Sequence, residues 1–236
     1  MNMPLNTSAD IHDPVEQARY NMVEQQIRPW NVLDSGVLKL LSSVRREDFV
    51  PPSYQGLAFI DTEIPLNPDV EQAERLGQVM LAPRVDARML QDLEVKPTDR
   101  VLEIGAGSGY MAALLAASAE RVVTLEIDPD LVEFARENLR SAGVANADVR
   151  QADGARDPIP DGPFDVIVLS GSVAEVPQKL LSLLRDGGRL GAYVGQAPMM
   201  RATLVRRQGE RFETTQPWDV VVPRLRHFPE PSSFKF

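Results

Sequence analysis

Short apolar strands alternate with helical segments from Arg100 onward, and this alternation restricts the fold more than any other feature of the sequence. Two more strands, 201–208 and 212–222, are expected to form an antiparallel hairpin that turns at Gln208-Gly209. Strands joined through helices pair in parallel, with right-handed crossovers. We therefore predict an α/β fold with a doubly wound, mostly parallel seven-stranded sheet and an antiparallel C-terminal hairpin. The predicted strands before the hairpin are Val101–Ile104, Arg121–Ile127, Ala147–Gln151, Phe164–Ser170 and Arg189–Val194. The predicted helices between them are Tyr110–Ser118, Pro129–Ala142 and Val176–Arg185.

The part of the chain before this alternation has a different character. Residues 1–13 are polar and irregular, and we expect them to be a flexible tail. Residues 14–97 are expected to form a helical and loop extension. This extension is expected to pack on a core of residues 98–236, so that the chain forms one structural domain overall.

Three helices and one long loop are predicted within the extension. The first helix begins at Asp13-Pro14 and runs to about Arg28, where a proline stops it. Asp34 is a suitable N-cap for the second helix, and residues 84–93 have the apolar spacing of a third. Residues 53–80 show little periodicity and are expected to be a long loop with short strands, a kind of segment that is often functional.

The composition argues against several classes of site. The 236 residues include no cysteine and only two histidines, so we expect no disulfide, no metal site and no serine–histidine–aspartate triad. The formal charge is −9 and the pI is near 4.8, whereas a nucleic-acid-binding protein would present a basic face. No apolar run reaches about 18 residues, and the N-terminus lacks the pattern of a signal peptide. We therefore expect a cytoplasmic protein that contacts neither nucleic acid nor membrane.

The loop after the first predicted strand, V-L-E-I-G-A-G-S-G-Y, lies where a doubly wound sheet binds its ligand. Ligands bind at the carboxyl ends of the strands, near the point where strand order reverses. Gly105, Gly107 and Gly109 allow a tight turn and a close approach of ligand to backbone. A dinucleotide would require G-x-G-x-x-G, but Tyr110 occupies the third glycine position. The spacing G-x-G-x-G is instead the one seen in class I methyltransferases, which bind S-adenosylmethionine.

Acidic residues near the ends of three strands fit the parts of that ligand. Glu126, about 20 residues past the first glycine, can accept hydrogen bonds from both ribose hydroxyls, while Asp128 is expected to cap the next helix. Asp153 can accept the exocyclic amine of adenine. For Glu103 two interpretations stay open: it holds the ammonium of the methionine part through water, or it is a buried acid satisfied by backbone N–H groups.

Several blocks of sequence across the chain match one methyltransferase family. The glycine loop followed by Tyr110 matches, as does the N-terminal stretch Met22 to Ile27 (MVEQQI). The stretch Val44 to Pro51 (VRREDFVP) is close to a VPRExFVP box, with Arg45 where proline is usual. Later blocks match from Phe164-Asp165 through Val176-Pro177 and from Leu184 to Gly195. On these residues the sequence, over about 18–225, resembles the protein-L-isoaspartate O-methyltransferase family.

The resemblance implies a Rossmann-like methyltransferase fold and methyl transfer from S-adenosylmethionine to the free α-carboxylate of an isoaspartyl residue in a damaged protein, a protein-repair reaction. The sulfonium is a strong electrophile and the carboxylate is a nucleophile at pH 7. Positioning and desolvation would therefore supply the catalysis, without a metal. S-adenosylhomocysteine would be the product of the cofactor. The strand ends and the resemblance together predict this set of cofactor-binding residues: Glu103, Gly105, Ala106, Gly107, Ser108, Gly109, Glu126, Ile127, Ala152, Asp153, Gly154, Met80 and Leu81.

One segment departs from the family pattern. The family carries a T-I-S-x-P segment whose hydroxyls contact the cofactor and the substrate carboxylate, and here Val79 and Leu81 stand at the hydroxyl positions. Leu81 cannot donate a hydrogen bond to a carboxylate, so no catalytic residue is assigned. Arg84, at one of two usual histidine positions, either contacts that carboxylate or is a solvated residue at a helix start, and the Arg45-Arg46 pair is a further candidate. Asp86, at the other position, is interpreted as an acid favoured at a helix start.

Three functions therefore remain in comparison. The first is an isoaspartyl methyltransferase. The second is a family member with a changed acceptor, such as an unidentified small molecule. The third is a protein that binds the cofactor but has lost turnover, because the hydroxyls are replaced. A nucleotide-dependent dehydrogenase is disfavoured by Tyr110.

Overall fold

The structure, a computed structural model, describes residues 13–230, so the predicted N-terminal tail lies outside the described residues apart from Asp13. Asp13 caps the first helix, α1 (Pro14–Asn21), and its side chain accepts a hydrogen bond of 2.8 Å from the Val15 N–H. The predicted helix does not stay α-helical as far as Arg28. It continues as a π-helical segment, Met22–Ile27, and a 3-10 turn, Arg28–Trp30.

The second predicted helix is confirmed. Asp34 is the N-cap of α2 (Ser35–Ser43) and accepts from the Val37 N–H at 2.9 Å. The helix buries Val37, Leu38 and Leu41. Two 3-10 segments, Arg46–Phe49 and Pro52–Leu57, follow it.

Residues 53–80 contain the expected short strands but also a helix that the sequence pattern did not predict. Strands β1 (Ile64–Pro65) and β2 (Val79–Met80) pair antiparallel. Between them lies α3 (Val70–Leu76), capped by Asp69 and ended by Gly77 in the left-handed conformation at φ 68°. Its only buried residue is Ala73, so no apolar periodicity marks it in the sequence.

The remaining elements alternate as predicted and form one seven-stranded sheet in the order β5-β4-β3-β6-β7-β8-β9. The first five strands in that order are parallel, and β8 and β9 are antiparallel to their neighbours, which confirms the predicted fold. Strand order reverses between β3 and β6, which is the point where such sheets bind ligands. The elements are α4 (Pro83–Leu93), β3 (Arg100–Ile104), α5 (Tyr110–Ala116), β4 (Arg121–Glu126), α6 (Pro129–Ser141), β5 (Ala147–Gln151), β6 (Phe164–Val173), α7 (Gln178–Leu181), β7 (Leu184–Gln196), β8 (Met199–Gln208) and β9 (Arg211–Asp219).

The predicted helix Val176–Arg185 is wrong in extent, because only the four residues of α7 are helical. Strand β7 already begins at Leu184, which pairs with Phe164. The glycines after it belong to an irregularity in the strand instead of a helix end: Gly187 has φ 76°, and the pairing with β6 resumes at Arg189.

Both faces of the sheet are covered. One buried apolar cluster joins it to α2, α4, α5 and α6, and a second joins it to α7 and to Phe228 of the C-terminal segment. Among residues 13–230, no helix is long and apolar enough to cross a membrane.

Candidate functional site

A cavity lies at the carboxyl ends of β3, β4 and β5, where the sequence predicted the cofactor. The C-terminal segment, with Arg224, Leu225, Arg226 and Phe228, covers it. Sequence reasoning missed this cover, because no local pattern indicates where an irregular segment folds back. The predicted residues that line the cavity are Gly105, Gly107, Glu126, Ile127, Ala152, Asp153 and Gly154.

The glycine loop has the backbone that its sequence predicts. Gly105, Gly107 and Gly109 have φ angles of 95°, 54° and 84°, a region that favours glycine. Gly109 lies outside the cavity. A Cβ there would be 3.3 Å from the Ala135 carbonyl oxygen, so this glycine allows α5 and α6 to pack closely.

Glu126 is buried and holds the glycine loop. One carboxylate oxygen accepts from the Gly107 N–H at 2.9 Å. The other accepts from the N–H groups of Ile127 at 2.9 Å and Asp128 at 3.0 Å. An ionised carboxylate offers about four acceptor positions. One position is therefore left for a ligand hydroxyl. To accept hydrogen bonds from both ribose hydroxyls, Glu126 would have to give up one of its hydrogen bonds from a backbone N–H.

Asp153 already has a partner from the C-terminal segment. One oxygen lies 2.7 Å from His227 Nδ1, and the other accepts from the Ala155 N–H at 3.0 Å. Burial opposes ionisation of this carboxyl, but the bonds from His227 and Ala155 outweigh it and hold its pKa below the ordinary value. An adenine amine would share this carboxylate with His227.

Glu103 is fully buried in β3, and side-chain hydroxyls satisfy it. Its two oxygens accept from Thr124 Oγ1 and Ser170 Oγ, each at 2.7 Å. The alternative that backbone N–H groups satisfy it is therefore wrong. Burial raises the pKa of Glu103 to about 8, against the opposing effect of the two hydroxyls.

A smaller cavity continues from the first one, since Gly105, Gly107 and Ser170 line both. Its remaining lining includes four more of the predicted residues together with Glu103: Met80, Leu81, Ala106 and Ser108. Strand β2 places Val79 and Met80 here, immediately before α4 begins. Val79 and Leu81, at the two positions where the family carries hydroxyls, therefore line this cavity with apolar side chains.

Asp86 lies in the first turn of α4, in agreement with its interpretation as an acid at a helix start, and it also lines the smaller cavity. Its residue surface is only 6% exposed. Burial raises the pKa of Asp86 to about 7, although the Arg46 guanidinium opposes the shift. Only packing between α4, β3 and the N-terminal segment makes this residue part of the site.

Arg46 is fully buried and binds backbone, so it does not act as a surface clamp. Its Nε donates to the Ala58 carbonyl at 3.1 Å and its Nη2 to the Leu81 carbonyl at 2.9 Å. The guanidinium lies over the Tyr110 ring, 5.1 Å from its centroid. Its neighbour Arg45 is exposed and pairs with Glu47 and Asp48, away from both cavities.

Arg84 lines neither cavity. It forms an ion pair with Asp61 and lies over the Trp30 ring, 4.7 Å from the centroid. The structure therefore does not place it where it could contact a carboxylate inside the site. Within residues 13–230, no group of three or more acidic or histidine side chains is arranged to hold a metal ion.

Comparison with known proteins places this geometry in a family. The family model of protein-L-isoaspartate(D-aspartate) O-methyltransferase (PCMT) matches residues 17–222. The chain belongs to this family. Membership confirms the predicted class of methyltransferase, which depends on S-adenosylmethionine. The matched residues include the whole lining of the smaller cavity, and that of the first cavity apart from its C-terminal cover.

Individual PCMT proteins are similar over most of their length. A protein-L-isoaspartate O-methyltransferase of Methanoculleus marisnigri is 41% identical over 203 residues, 86% of this chain and 88% of its own. One of Koribacter versatilis is 35% identical over 84% of this chain and 86% of its own. A Plasmodium falciparum PCMT structure in complex with S-adenosyl-L-homocysteine has a TM-score of 0.73 and 21% identity, covering 90% of this chain and 98% of its own. Because its sequence identity is only 21%, the match to this structure supports the fold alone.

Proposed function

We propose that this PCMT protein transfers a methyl group from S-adenosylmethionine to the free α-carboxylate of an isoaspartyl residue in a damaged protein. The observation that carries the proposal is the joint extent of the family match and the two connected cavities. Residues 17–222 include the N-terminal box, β2 beside the smaller cavity and the glycine loop. The relatives at 35–41% identity bear the name of this activity.

The residues present fit the cofactor by the chemistry of their acceptors. S-adenosylmethionine supplies an activated methyl group on a sulfonium, and it carries an ammonium and two ribose hydroxyls that need acceptors. Glu126 keeps one free acceptor position, and Glu103 is a buried carboxyl near the glycine loop. We assign the ribose to Glu126, the adenine to the Ala152–Gly154 turn and the methionine part to the wall that holds Glu103.

The chain's own contribution to the reaction is positioning and exclusion of water. Met80 and Leu81 are buried and form an apolar wall of the smaller cavity. A carboxylate that enters beside them loses its water shell, and its ground state becomes less stable relative to the charge-neutralising transition state. Holding it in line with the methyl group removes the entropic cost of a bimolecular encounter.

The direct test is methyl transfer from radiolabelled S-adenosylmethionine to an isoaspartyl peptide, with the same peptide containing normal aspartate as the control. We expect base-labile methyl ester on the isoaspartyl peptide alone. Cofactor binding without ester, over pH 5.5 to 9, would refute the assignment of the acceptor.

A second candidate, a PCMT protein with a different acceptor, is favoured by one observation. Val79 and Leu81 offer no donor where the family carries hydroxyls. Methylation of another acceptor from a cell extract, with none of the isoaspartyl peptide, would select this candidate. Cofactor binding with no methylation of any acceptor would indicate a protein that only binds the cofactor.

A further inference from the structure

Two polar atoms beside the smaller cavity are buried without a hydrogen-bond partner among the described residues. The first is the Tyr110 hydroxyl, and the second is Nη1 of Arg46. The Asp86 carboxyl forms an ion pair with Arg46 Nη1 at 3.7 Å, a distance that exceeds hydrogen-bond length. Tyr110 and Asp86 both line the cavity. A buried polar group without a hydrogen-bond partner destabilises the folded chain, so such groups gathered at one cavity indicate a site completed by a ligand.

The ligand chemistry follows from what these groups offer. The phenol and the guanidinium are both hydrogen-bond donors, and a protonated carboxyl is a third. Val79 and Leu81 line the same cavity and offer no side-chain hydrogen bond. A set of donors in a buried, partly apolar cavity matches an anion with two acceptor oxygens, which describes a carboxylate.

We infer that Asp86, in its protonated form, and the Tyr110 hydroxyl donate the hydrogen bonds that hold the acceptor carboxylate, with the Arg46 charge behind them. This inference rests on the proposed function, since it concerns the acceptor side of the same site. It supplies from α4 and α5 the donors that Val79 and Leu81 lack. Asp86 binds the acceptor and does not exchange its proton during the reaction.

The surroundings of Asp86 keep a substantial fraction of this carboxyl protonated near neutral pH. The ionisable groups that face it are Arg46 from the N-terminal segment, Glu103 from β3, Tyr110 from α5 and Tyr193 from β7. Burial raises the pKa of Asp86 to about 7, with Arg46 as the opposing charge. Burial also raises the pKa of both tyrosines, so that each stays a neutral phenol. A carboxyl kept neutral by an apolar site can serve as a donor.

Methyl transfer forms one bond and breaks one bond at the methyl carbon. One oxygen of the acceptor carboxylate forms the bond to the methyl carbon while the carbon–sulfur bond breaks, and that electron pair stays on sulfur as a thioether. The other oxygen keeps its hydrogen bond from Asp86. The product ester is neutral, so hydrogen bonds that were charge-assisted weaken and favour release of the product.

The test compares the pH dependence of kcat/KM for an isoaspartyl peptide in wild type and in Asp86→Asn, Asp86→Leu and Tyr110→Phe. The α-carboxylate of the peptide is ionised over the whole range from pH 5.5 to 9. For wild type we expect a loss of about tenfold per pH unit above the Asp86 pKa. Asp86→Asn keeps an N–H donor but cannot ionise, so its profile should lack the fall that begins at the Asp86 pKa. In Asp86→Leu, kcat/KM should fall on the order of 100-fold, mainly because KM rises.

A matched control is Asp92→Asn, which alters a second acid of α4. Asp92 is half-buried and accepts from the Trp218 indole at 2.7 Å. It should keep the wild-type pH profile. Calorimetry adds a readout that a merely structural role would not change. Binding of the peptide to the protein saturated with S-adenosylhomocysteine should take up about one proton near pH 8 in wild type and none in Asp86→Asn.

The possible outcomes distinguish the role of Asp86 from the proposed function. Methylation with the same pH profile in wild type and Asp86→Asn overturns the role of Asp86 and leaves the proposed function intact. Peptide binding with Asp86-dependent proton uptake but no ester refutes the proposed function and supports the role of Asp86. If the peptide neither binds nor becomes esterified, both proposals are refuted. Methylation of an amine-bearing peptide that rises with pH and is lost in Asp86→Asn makes Asp86 an acceptor for a cationic group and overturns the inference.

Discussion

The substitution Glu126→Gln tests the cofactor half of the site most directly. The amide has nearly the shape of the carboxylate but only one acceptor oxygen. If that oxygen keeps the N–H groups of Ile127 and Asp128, the new NH₂ group faces the Gly107 N–H, now 2.9 Å from the carboxylate. The acceptor position left for the ribose disappears as well. A hydrogen bond to a charged group contributes about 1.5–3 kcal/mol, so we expect the Kd of S-adenosylhomocysteine to rise roughly 10- to 150-fold.

Isothermal titration with S-adenosylhomocysteine measures this change, and thermal unfolding of the ligand-free protein shows whether the loop still folds. The control is Glu133→Gln on α6, whose side chain is exposed and pairs, within residues 13–230, only with Arg136. That variant should bind like wild type. An affinity of Glu126→Gln within twofold of wild type, at unchanged Tm, would mean that the ribose lies elsewhere and would refute the assignment of Glu126.

Three further results are expected. Arg46→Met removes the donor to the Ala58 and Leu81 carbonyls and the cation that pairs with Asp86. Urea unfolding should show that the free energy of unfolding falls by about 3–5 kcal/mol. A decrease under 1 kcal/mol would contradict the role of these contacts. Burial raises the pKa of Asp86 to about 7 and of Glu103 to about 8, so the folded chain keeps protons that the unfolded chain releases near pH 4 to 5. The free energy of unfolding should therefore fall as pH rises from 5 to 8. Urea midpoints that rise over this range would contradict this expectation. Leu81→Ser should raise isoaspartyl methylation most at pH 8, where Asp86 no longer donates, as measured by ester formation; no gain at any pH would mean that the cavity has diverged further.

Local signals predicted the elements that position the cofactor cavity. The caps at Asp34 and Asp128 and the positive φ angles of the glycine loop depend on hydrogen bonds and backbone conformations within a few residues of sequence. The alternation of apolar strands and helices gave the parallel order around β3. Where the local pattern was weak, as in α3 with one buried residue, prediction failed.

The tertiary structure alone decided the acceptor side of the site. The sequence indicates an acid at a helix start for Asp86, and for Arg84 either a carboxylate contact or a solvated residue. Packing buries Asp86 and pairs Arg84 with Asp61. His227 lies 74 residues from Asp153 in sequence, yet hydrogen-bonds to it. The sequence by itself determined the family, the sheet and the cofactor loop, because their signals are local and periodic. Which polar groups end up buried and unpaired depends on which distant segments pack together, and no short pattern in the chain encodes that.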